Sequence, residues 1–414
     1  MNTRLDRNKL IIGAYILQDY ARSEAHIRDL AACGIDMITG FDSDKREKLD
    51  LLEKYGVGCI LGGVTPGWWG GNGKNAGKLA EKNTYDLFEK AAKTFTDHPA
   101  VWGLDIGDEP SALDFDHYGK IAAWMENLFP KQFAYLNLYP NYASVAENTG
   151  AQTVNQLGTA TYAEHIDAYV KKVGLPYISY DFYVYSLHSD ELGRMYDNFR
   201  IVADACLDTG HDFWYIPQVN SNDPNVFTSA ERLRFQAYAA LCYGASLINW
   251  ACYTGGWWHN NVLDTEGNKT EQYEKLKTVN AELRRFGERY MRYTRTSTHL
   301  VGFENEPTFA AHPALKSETA VDTGFVRDLH ASDGARLVVG EMTGKGDNAK
   351  KALVVLNATD YLDNAPCKTT VTFRADGRDV SLYSADGHTA LSRLDDGSYA
   401  FTLANCRAVL ITVQ

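Results

Sequence analysis

The sequence lacks a long hydrophobic run. No stretch of about 18 consecutive apolar residues is present to span a bilayer, and the first ten residues, MNTRLDRNKL, are polar and charged. A secretory leader needs an apolar segment at this place. We therefore expect a protein without a membrane partner and without a visible export sequence, and we predict a cytoplasmic location.

An excess of basic residues is also missing. The chain has 41 Lys and Arg against 53 Asp and Glu, which gives a formal net charge of −12. A phosphate backbone or an anionic lipid surface is repelled by such a charge. The balance therefore argues against nucleic acid as a partner.

Paired cysteine motifs and phosphate-binding motifs are missing as well. The seven cysteines are scattered, no CxxC pair occurs, and most lie within apolar stretches, which predicts buried thiols in a reducing compartment. The glycine-rich run at 67–73 lies in a long aromatic segment and does not connect a strand to a helix as a phosphate-binding turn does. We therefore predict no cofactor.

What the sequence does contain is a regular succession of short apolar runs and amphipathic segments. Its 414 residues are 45% hydrophobic and 23% charged, which is typical of a globular protein. The predicted strands are 9–17, 35–41, 57–64, 101–107, 133–139, 177–183, 213–218 and 246–253. A helical pattern follows each strand, and apolar strands of this kind form parallel sheets that are covered on the outside. A (β/α)8 barrel is the closed arrangement of such units, and a doubly wound open sheet is the alternative.

The last part of the chain has a different pattern. Alternating stretches such as LVVGEMT, ALVVLNAT and AVLITVQ follow one another between Asp-Gly and Gly-Asp turns, which predicts an antiparallel β-sandwich. We therefore predict a catalytic barrel over 1–294 and an accessory β-sandwich domain over 295–414.

Three acids lie at the end of the fourth predicted strand. Strict alternation places Gly103, Asp105, Gly107 and Glu109 on one face, with Asp108 beside them. The carboxyl ends of barrel strands hold the active site, and a carboxyl group among other carboxyls has the raised pKa that a general acid needs. Alternatively, Asp105 or Asp108 caps a helix or pairs with an arginine.

Other strand ends add polar groups suited to a sugar. Asp181 and Tyr183 share a face at the end of the sixth strand, where the aspartate could orient a hydroxyl, accept a proton or attack an anomeric carbon. Asn137 and Gln218 end the fifth and seventh strands and offer amides that can recognise hydroxyls. Core packing is the alternative for each.

Two loops carry paired tryptophans between glycines, which is unusual for a buried core. Indole rings at a barrel mouth stack well on sugar rings, so the pattern predicts a carbohydrate-binding cleft. The aromatic and histidine side chains expected there are Trp68, Trp69, Trp250, Trp257, Trp258 and His259. Because His259 has no carboxylate or second histidine at ligand spacing, we predict no metal.

The segment 98–110 (HPAVWGLDIGDEP) resembles the acid/base segment of clan A glycoside hydrolases. A closer resemblance is to bacterial barrel proteins related to the family 42 β-galactosidases. It is based on Asn-Leu-Tyr-Pro-Asn at 137–141, Tyr-Asp-Phe-Tyr at 180–183 and Leu-Cys-Tyr-Gly-Ala at 241–245. It covers about residues 9–290 and implies a sugar-cleaving barrel.

The resemblance also implies roles for single residues. Glu109 matches the proton donor, Asp108 stands where an asparagine recognises the substrate 2-position, and Trp250 matches the platform under the reacting sugar. The departure is at the seventh strand, where Gln218 stands in place of the nucleophilic glutamate. An Asn-Glu-Pro tripeptide at 305–307 lies beyond the last helix and is interpreted as a chance match.

Three hypotheses follow from the missing nucleophile. In the preferred one, the chain is a glycoside hydrolase with Glu109 as general acid/base and Asp181, or else Asp108, as second carboxylate. In the second, Asp108 and Glu109 serve a substrate-assisted N-acetylhexosaminidase, similar to enzymes in which the 2-acetamido group attacks. In the third, the barrel binds a glycan without cleaving it.

Overall fold

Eight parallel strands form a ring in the first part of the chain. The computed structural model describes residues 4–42, 45–63, 65, 75–93, 97–145, 155–185, 191–255, 258–376 and 379–413. The strands are β1 (Ile11–Tyr15), β2 (Met37–Phe41), β3 (Gly58–Leu61), β4 (Val101–Asp108), β5 (Phe133–Asn137), β6 (Tyr177–Asp181), β7 (Asp212–Ile216) and β8 (Ala245–Trp250). Their order is β5-β4-β3-β2-β1-β8-β7-β6.

The ring closes between β5 and β6, where a side chain takes part in the strand pairing. The Tyr177 hydroxyl accepts a hydrogen bond from the Leu136 N–H (3.0 Å) and donates one to the Ala134 carbonyl (2.6 Å). One parallel bridge, between Leu138 and Tyr180, completes the junction.

Helices surround the ring, as expected for apolar strands that need cover on the outside. They are α1 (Glu24–Ala32), α2 (Arg46–Lys54), α3 (Leu79–Lys82), α4 (Tyr85–Ala92), α5 (Phe115–Leu128), α6 (Tyr162–Lys172), α7 (Glu191–Thr209), α8 (Ala230–Cys242) and α9 (Glu271–Tyr290). Side chains of Ser23, Thr161, Ser229 and Thr270 cap helix N-termini. The predicted (β/α)8 barrel is confirmed, and the open-sheet alternative is wrong. Within the described segments, no helix is both long and apolar enough to cross a membrane.

Two further sheets follow the barrel. Their strands are β9 (Tyr293–Val301), β10 (Ser317–Glu318), β11 (Val326–Ala331), β12 (Leu337–Gly344), β13 (Asp347–Asn357), β14 (Lys368–Ala375), β15 (Val380–Ser384), β16 (Gly387–Leu391), β17 (Tyr399–Ala404) and β18 (Ala408–Val413). Seven form a sheet in the order β10-β9-β12-β13-β18-β15-β16, and β11, β14 and β17 form a second one. Pairing is antiparallel except between β9 and β10. One hydrophobic cluster contains residues of both sheets.

The larger sheet is buried on both faces. In β12, Val339 belongs to the cluster between the two sheets, whereas Val338 belongs to the cluster that includes the barrel. Period-2 alternation explains this division. The approach to α8 is close, because a Cβ atom on Gly340 would lie 2.3 Å from the Cys242 carbonyl oxygen.

Candidate active site

Strand β4 supplies two of the predicted acids, and a β-bulge decides which way they face. After Asp105, pairing advances by two residues of β4 against one of β5, so β4 contains one extra residue. Asp105 and Asp108 consequently lie near each other, and the charge of Asp108 raises the pKa of Asp105. Simple alternation placed Asp105 and Glu109 on one face, and the structure corrects that expectation.

The two glycines of β4 make room for neighbouring elements and not for the acids. A Cβ atom on Gly107 would lie 2.4 Å from the hydroxyl oxygen of Tyr118 on α5. A Cβ atom on Gly103 would lie 2.7 Å from the carbonyl oxygen of Phe133 on β5. Both positions therefore serve close packing around β4.

Asn137 joins the acids of two strands. Its Nδ2 atom donates to Asp181 Oδ1 at 2.7 Å and to Asp108 Oδ1 at 3.2 Å. Its Oδ1 atom accepts a hydrogen bond from the Ser179 hydroxyl at 3.1 Å, which fixes the orientation of the amide. The structure thus brings together three of the predicted site residues, Asn137, Asp108 and Asp181. The Asn137 amide was expected to bind a sugar hydroxyl, and it donates instead to the two carboxyl groups.

Burial keeps protons on this cluster. Asp108 contacts solvent at the mouth, yet the surrounding protein raises its pKa, and the Asn137 hydrogen bond lowers it in part. Asp181 is 5% exposed, and burial together with the Asp108 charge raises its pKa to about 7. Burial and Asp108 also raise the pKa of Asp105 to about 8. Like charges in a desolvated site cannot all ionise at neutral pH.

Glu109 is half-buried next to this cluster. Its backbone has a φ of 43°, a conformation that is uncommon outside glycine and concentrates at functional sites. Its N–H donates to the Asn137 carbonyl at 2.9 Å. The Glu109 charge raises the pKa of Tyr139 and Tyr183, so the carboxyl group lies near the ends of β5 and β6.

Aromatic and apolar side chains form one wall beside the acids. The Tyr183 ring packs edge-on against Trp258, with centroids 4.3 Å apart and an angle of 84°. Ile216 and Cys252 belong to the same cluster. Trp68, Trp69 and Trp257 lie outside the described residues. The side chain of His259 is exposed, and its backbone pairs with that of Ser221.

Gln218 is buried, with 1% of its surface exposed. Its Oε1 atom accepts from the Tyr185 N–H at 2.9 Å, and its Nε2 atom donates to the Asn220 carbonyl at 3.2 Å. The amide is therefore engaged by the backbone, whereas the sequence predicted a contact with substrate. The β7 residue opposite Asp181 is Ile216, so an apolar side chain stands beside the acid cluster.

Trp250 does not reach the mouth of the barrel. It is fully buried, and its indole N–H donates to Asn280 Oδ1 on α9 at 2.8 Å. The expected platform under a sugar is therefore incorrect for this residue, because the indole packs between β8 and the helical layer. Alternation along β8 explains the difference, since the neighbouring Asn249 takes the inner position.

Sequence reasoning missed two polar residues inside the ring. Asn249 donates through Nδ2 to the Thr39 hydroxyl at 2.7 Å. Tyr15 lies so near Asp108 and Asp105 that both charges raise the pKa of its hydroxyl. Asn249 is the polar residue in Ser-Leu-Ile-Asn-Trp that alternation directs inward, so the sequence did contain an indication of it.

A different group of potential metal ligands lies before β4. Among the described residues, Asp50, Glu53 and His98 place one ligand atom each within 4.8 Å of one another. The Nδ1 atom of His98 accepts from the Ala100 N–H at 3.2 Å, so neutral His98 carries its proton on Nε2, which faces Asp50 Oδ1 at 3.0 Å. This arrangement fits a hydrogen bond and not a metal ligand.

The Asn-Glu-Pro segment at 305–307 has a structural role. Glu306 pairs with Arg336 at 2.7 Å and caps the short 3-10 helix Pro307–Ala311 through Thr308. These contacts give the Glu306 carboxylate a structural role, and no catalytic role is needed to explain its position.

Comparison with known proteins gives structural neighbours only. No family model matches the chain, and no curated protein sequence matches it. A structure from Bacteroides fragilis NCTC 9343, provisionally assigned as an α-galactosidase, is 13% identical, with a TM-score of 0.51 over 98% of this chain and 80% of that one. The likeness establishes the fold. It extends through the barrel and the sheets that follow.

Two other neighbours match the chain less well. A provisionally assigned α-L-fucosidase from Bacteroides thetaiotaomicron VPI-5482 is 13% identical, with a TM-score of 0.47 over 66% of this chain and 96% of that one. A catalytic mutant of a GH42 β-galactosidase from G. stearothermophilus is 12% identical, with a TM-score of 0.45 over 73% of this chain and 60% of that one.

Proposed function

We propose that the protein is a glycoside hydrolase that uses carboxyl groups at the mouth of the barrel. The observation that supports this most is the linkage of Asp108 and Asp181 through one Asn137 amide, with Glu109 next in the chain. The position agrees with the rule that barrel enzymes place their chemistry at the carboxyl ends of strands. The names of the neighbouring structures are consistent with a sugar substrate.

Glu109 is the proposed general acid/base. Its carboxyl group lies near Tyr139 and Tyr183, beside the aromatic wall against which a sugar can stack. In the first step it protonates the oxygen of the leaving group while the second carboxylate attacks the anomeric carbon and the glycosidic bond breaks. In the second step it removes a proton from the water that displaces this carboxylate from the sugar, and that proton restores the acid form of Glu109.

The second carboxylate comes from the Asp108–Asp181 pair, with Asp181 as first choice. Because both accept from one nitrogen, their bonded oxygens are separated by no more than the sum of the two hydrogen bonds, 2.7 and 3.2 Å. The two aspartates are therefore close neighbours that share one donor, and in the proposed mechanism either of them works together with Glu109.

The test is hydrolysis of aryl glycosides by the wild type and by Glu109→Gln, Asp181→Asn and Asp108→Asn. The panel contains hexosides, pentosides and N-acetylhexosaminides. Glu109→Gln should lower kcat/KM by at least about 100-fold on substrates with a poor leaving group. On dinitrophenyl glycosides the loss should be much smaller, because that leaving group needs no proton. Glu304→Gln, an exposed glutamate, is the matched control.

Other outcomes identify other functions. Turnover of N-acetyl substrates alone, with Asp108→Asn as the most damaging change, would establish the substrate-assisted enzyme. Binding of glycans without turnover by the wild type would establish a binding barrel. Activity that survives Glu109→Gln on every substrate would refute the site assignment.

A further inference from the structure

A cavity of about 380 Å³ lies where the end of α9 meets the larger C-terminal sheet. We call it the junction groove and define it by Arg289, Arg292, Tyr293, Lys345, Lys350 and Tyr383. Arg289 and Arg292 come from the end of α9 and the residues after it, whereas Lys345 and Lys350 come from the β12–β13 hairpin. Two separate elements therefore direct cations into one space.

The positive charge of the junction groove is largely uncompensated. Lys350 pairs with Asp347 at 3.3 Å, and this aspartate is the one acid lining the cavity. Across the parts of the chain that the structure describes, no carboxylate lies within salt-bridge distance of Arg289, Arg292 or Lys345. Arg292 Nε donates to the backbone carbonyl of Glu288 at 3.2 Å, and Asp212, which acts on Lys345, is itself paired with Arg7 at 2.6 Å.

Backbone and ring contacts hold these cations together. The N–H of Lys345 donates to the Arg292 carbonyl at 2.8 Å, which fixes the hairpin beside α9. The Arg289 guanidinium lies 4.9 Å from the centroid of the Tyr383 ring, an arrangement that limits its freedom. Lys350, Arg289 and Arg292 all lower the pKa of the Tyr293 hydroxyl, against the larger effect of burial. Three cations of the junction groove, Arg289, Arg292 and Lys350, therefore all lie near the Tyr293 hydroxyl.

Stabilisation of the helix end explains only part of this arrangement. A cation at the C-terminus of a helix interacts favourably with its dipole, and Arg289 lies in the last turn of α9. Lys345 and Lys350 are not on a helix. Partial burial lowers the pKa of Lys345, and the charge of Asp212 offsets this effect only in part, so an arriving anion would stabilise the charged form of Lys345.

We propose that the junction groove binds an anionic sugar, with its carboxylate, sulfate or phosphate group held by Arg292 and Lys345. Guanidinium groups recognise such oxyanions through paired hydrogen bonds. The hydroxyls of Tyr293 and Tyr383 can bind the hydroxyls of the sugar ring, and the cavity volume lies within the range of small-molecule sites. The site is independent of hydrolysis at the barrel mouth.

The experiment is titration calorimetry with the full chain. The probes are glucuronate, glucose 6-sulfate and glucose 6-phosphate, with glucose and inorganic sulfate as comparisons. The wild type should bind the anionic sugars, more weakly as ionic strength rises, and it should not bind glucose. The double change Arg292→Gln and Lys345→Gln should weaken binding at least about tenfold, with an unchanged circular dichroism spectrum and melting temperature.

Controls locate the site. Lys368→Gln, which removes an exposed lysine on β14, and Glu109→Gln at the barrel mouth should both bind like the wild type. Equal binding by the double variant, or equal binding of glucose, would overturn the proposal. If inorganic sulfate binds as tightly as glucose 6-sulfate, the sugar contributes nothing and the assignment to a sugar is wrong. Loss of binding in Glu109→Gln would place the anion at the barrel mouth instead.

Discussion

Asp108 and Asp181 depend on the same hydrogen-bond donor, the Asn137 amide. A single amide satisfies one oxygen of each group, but it cannot cancel the negative charges of two neighbouring carboxylates, one of which is buried. Ionisation of one aspartate therefore opposes ionisation of the other. If one of them is the second carboxylate that we propose, the pH at which it becomes available is set by this pair and not by either residue alone.

Removal of the Asp108 charge should shift the pH range over which Asp181 ionises. In Asp108→Asn the Asp181 carboxyl no longer faces a negative neighbour, so its pKa should fall. Since the second carboxylate works in its ionised form, the acidic limb of kcat/KM should move to lower pH. Asp86→Asn, an exposed change on α4, is the control. An acidic limb that stays in place, or moves to higher pH, would contradict the assignment of Asp181.

Asp105 should make the folded protein less stable as the pH rises. Its pKa is raised from 3.8 to about 8 in the folded chain, so folding retains a proton that the unfolded chain has released. The stability is therefore complete below about pH 4 and falls as the pH rises towards 8. Asp105→Asn keeps the Oδ1 acceptor for the Gly107 N–H and should gain about 1–3 kcal/mol at pH 8.

Urea unfolding of the wild type and of Asp105→Asn at several pH values measures this effect. The difference in unfolding free energy should shrink towards pH 4. Parallel pH dependences for the two proteins would show that Asp105 is ionised in the folded state at neutral pH.

At the scale of elements, the packing of β4 against α5 leaves no room for a side chain at Gly107. A methyl group on Gly107 would lie 2.4 Å from the Tyr118 hydroxyl, and Tyr118 is fully buried. Overpacking of this kind costs about 1–3 kcal/mol, so we expect Gly107→Ala to lower the urea midpoint and to reduce activity by displacing Asp108. Gly62→Ala, where no atom lies within 4 Å of the added carbon, should lose much less. Equal losses would argue against the clash.

The strands were predictable from sequence, whereas the faces of their last residues were not. Nearly continuous apolar runs identify all eight barrel strands, because strands buried on both faces need such residues. The direction of Asp108 depends on the bulge, which is set by pairing with β5 and leaves no trace in β4 itself. Trp250 shows the same limit, since its motif predicted a platform while its position along β8 directs the indole to α9.

Polar residues at the strand ends were partly predictable. The sequence identified Asp108, Asn137 and Asp181 as candidates, yet the shared amide depends on how β4, β5 and β6 are arranged in space. Gln218 is a residue type suited to sugar binding. Its amide is instead bonded to the backbone of Tyr185 and Asn220, and no pattern around Gln218 in the sequence indicates these partners. Residue type therefore indicated the chemistry, and only the fold determined the partners.

At the scale of the whole molecule, the barrel and the C-terminal sheets share one core. Val338 and Val354 of the sheet belong to the same hydrophobic cluster as the barrel helices. Arg234 of α8 pairs with Glu282 of α9 at 2.7 Å, and Arg407 from the last part of the chain joins Glu282 at 3.0 Å. We therefore propose that 1–294 and 295–414 are distinct in architecture but depend on each other for stability.

Unfolding should accordingly be a single transition. All eight tryptophans lie before residue 259, so their fluorescence reports on the barrel, and a dye on the half-buried Cys367 reports on the sheets. Both midpoints should coincide. Gly340→Ala, which places a carbon 2.3 Å from the Cys242 carbonyl, should lower them together, whereas Gly324→Ala has no atom nearby. Two separate transitions would show that the two parts unfold independently.

The closure of the barrel has a consequence for the geometry of the acid cluster. Seven strand junctions are made by backbone ladders, but the junction of β5 and β6 includes the Tyr177 hydroxyl. The Tyr177 ring is 1% exposed and stacks on Trp214 with centroids 3.7 Å apart, so its hydroxyl is held in place. Asn137 and Asp181 stand on opposite sides of this junction. The spacing of the amide and its carboxylate therefore depends on a buried phenol that belongs to neither residue, and the seam of the barrel is also the seam of the acid cluster.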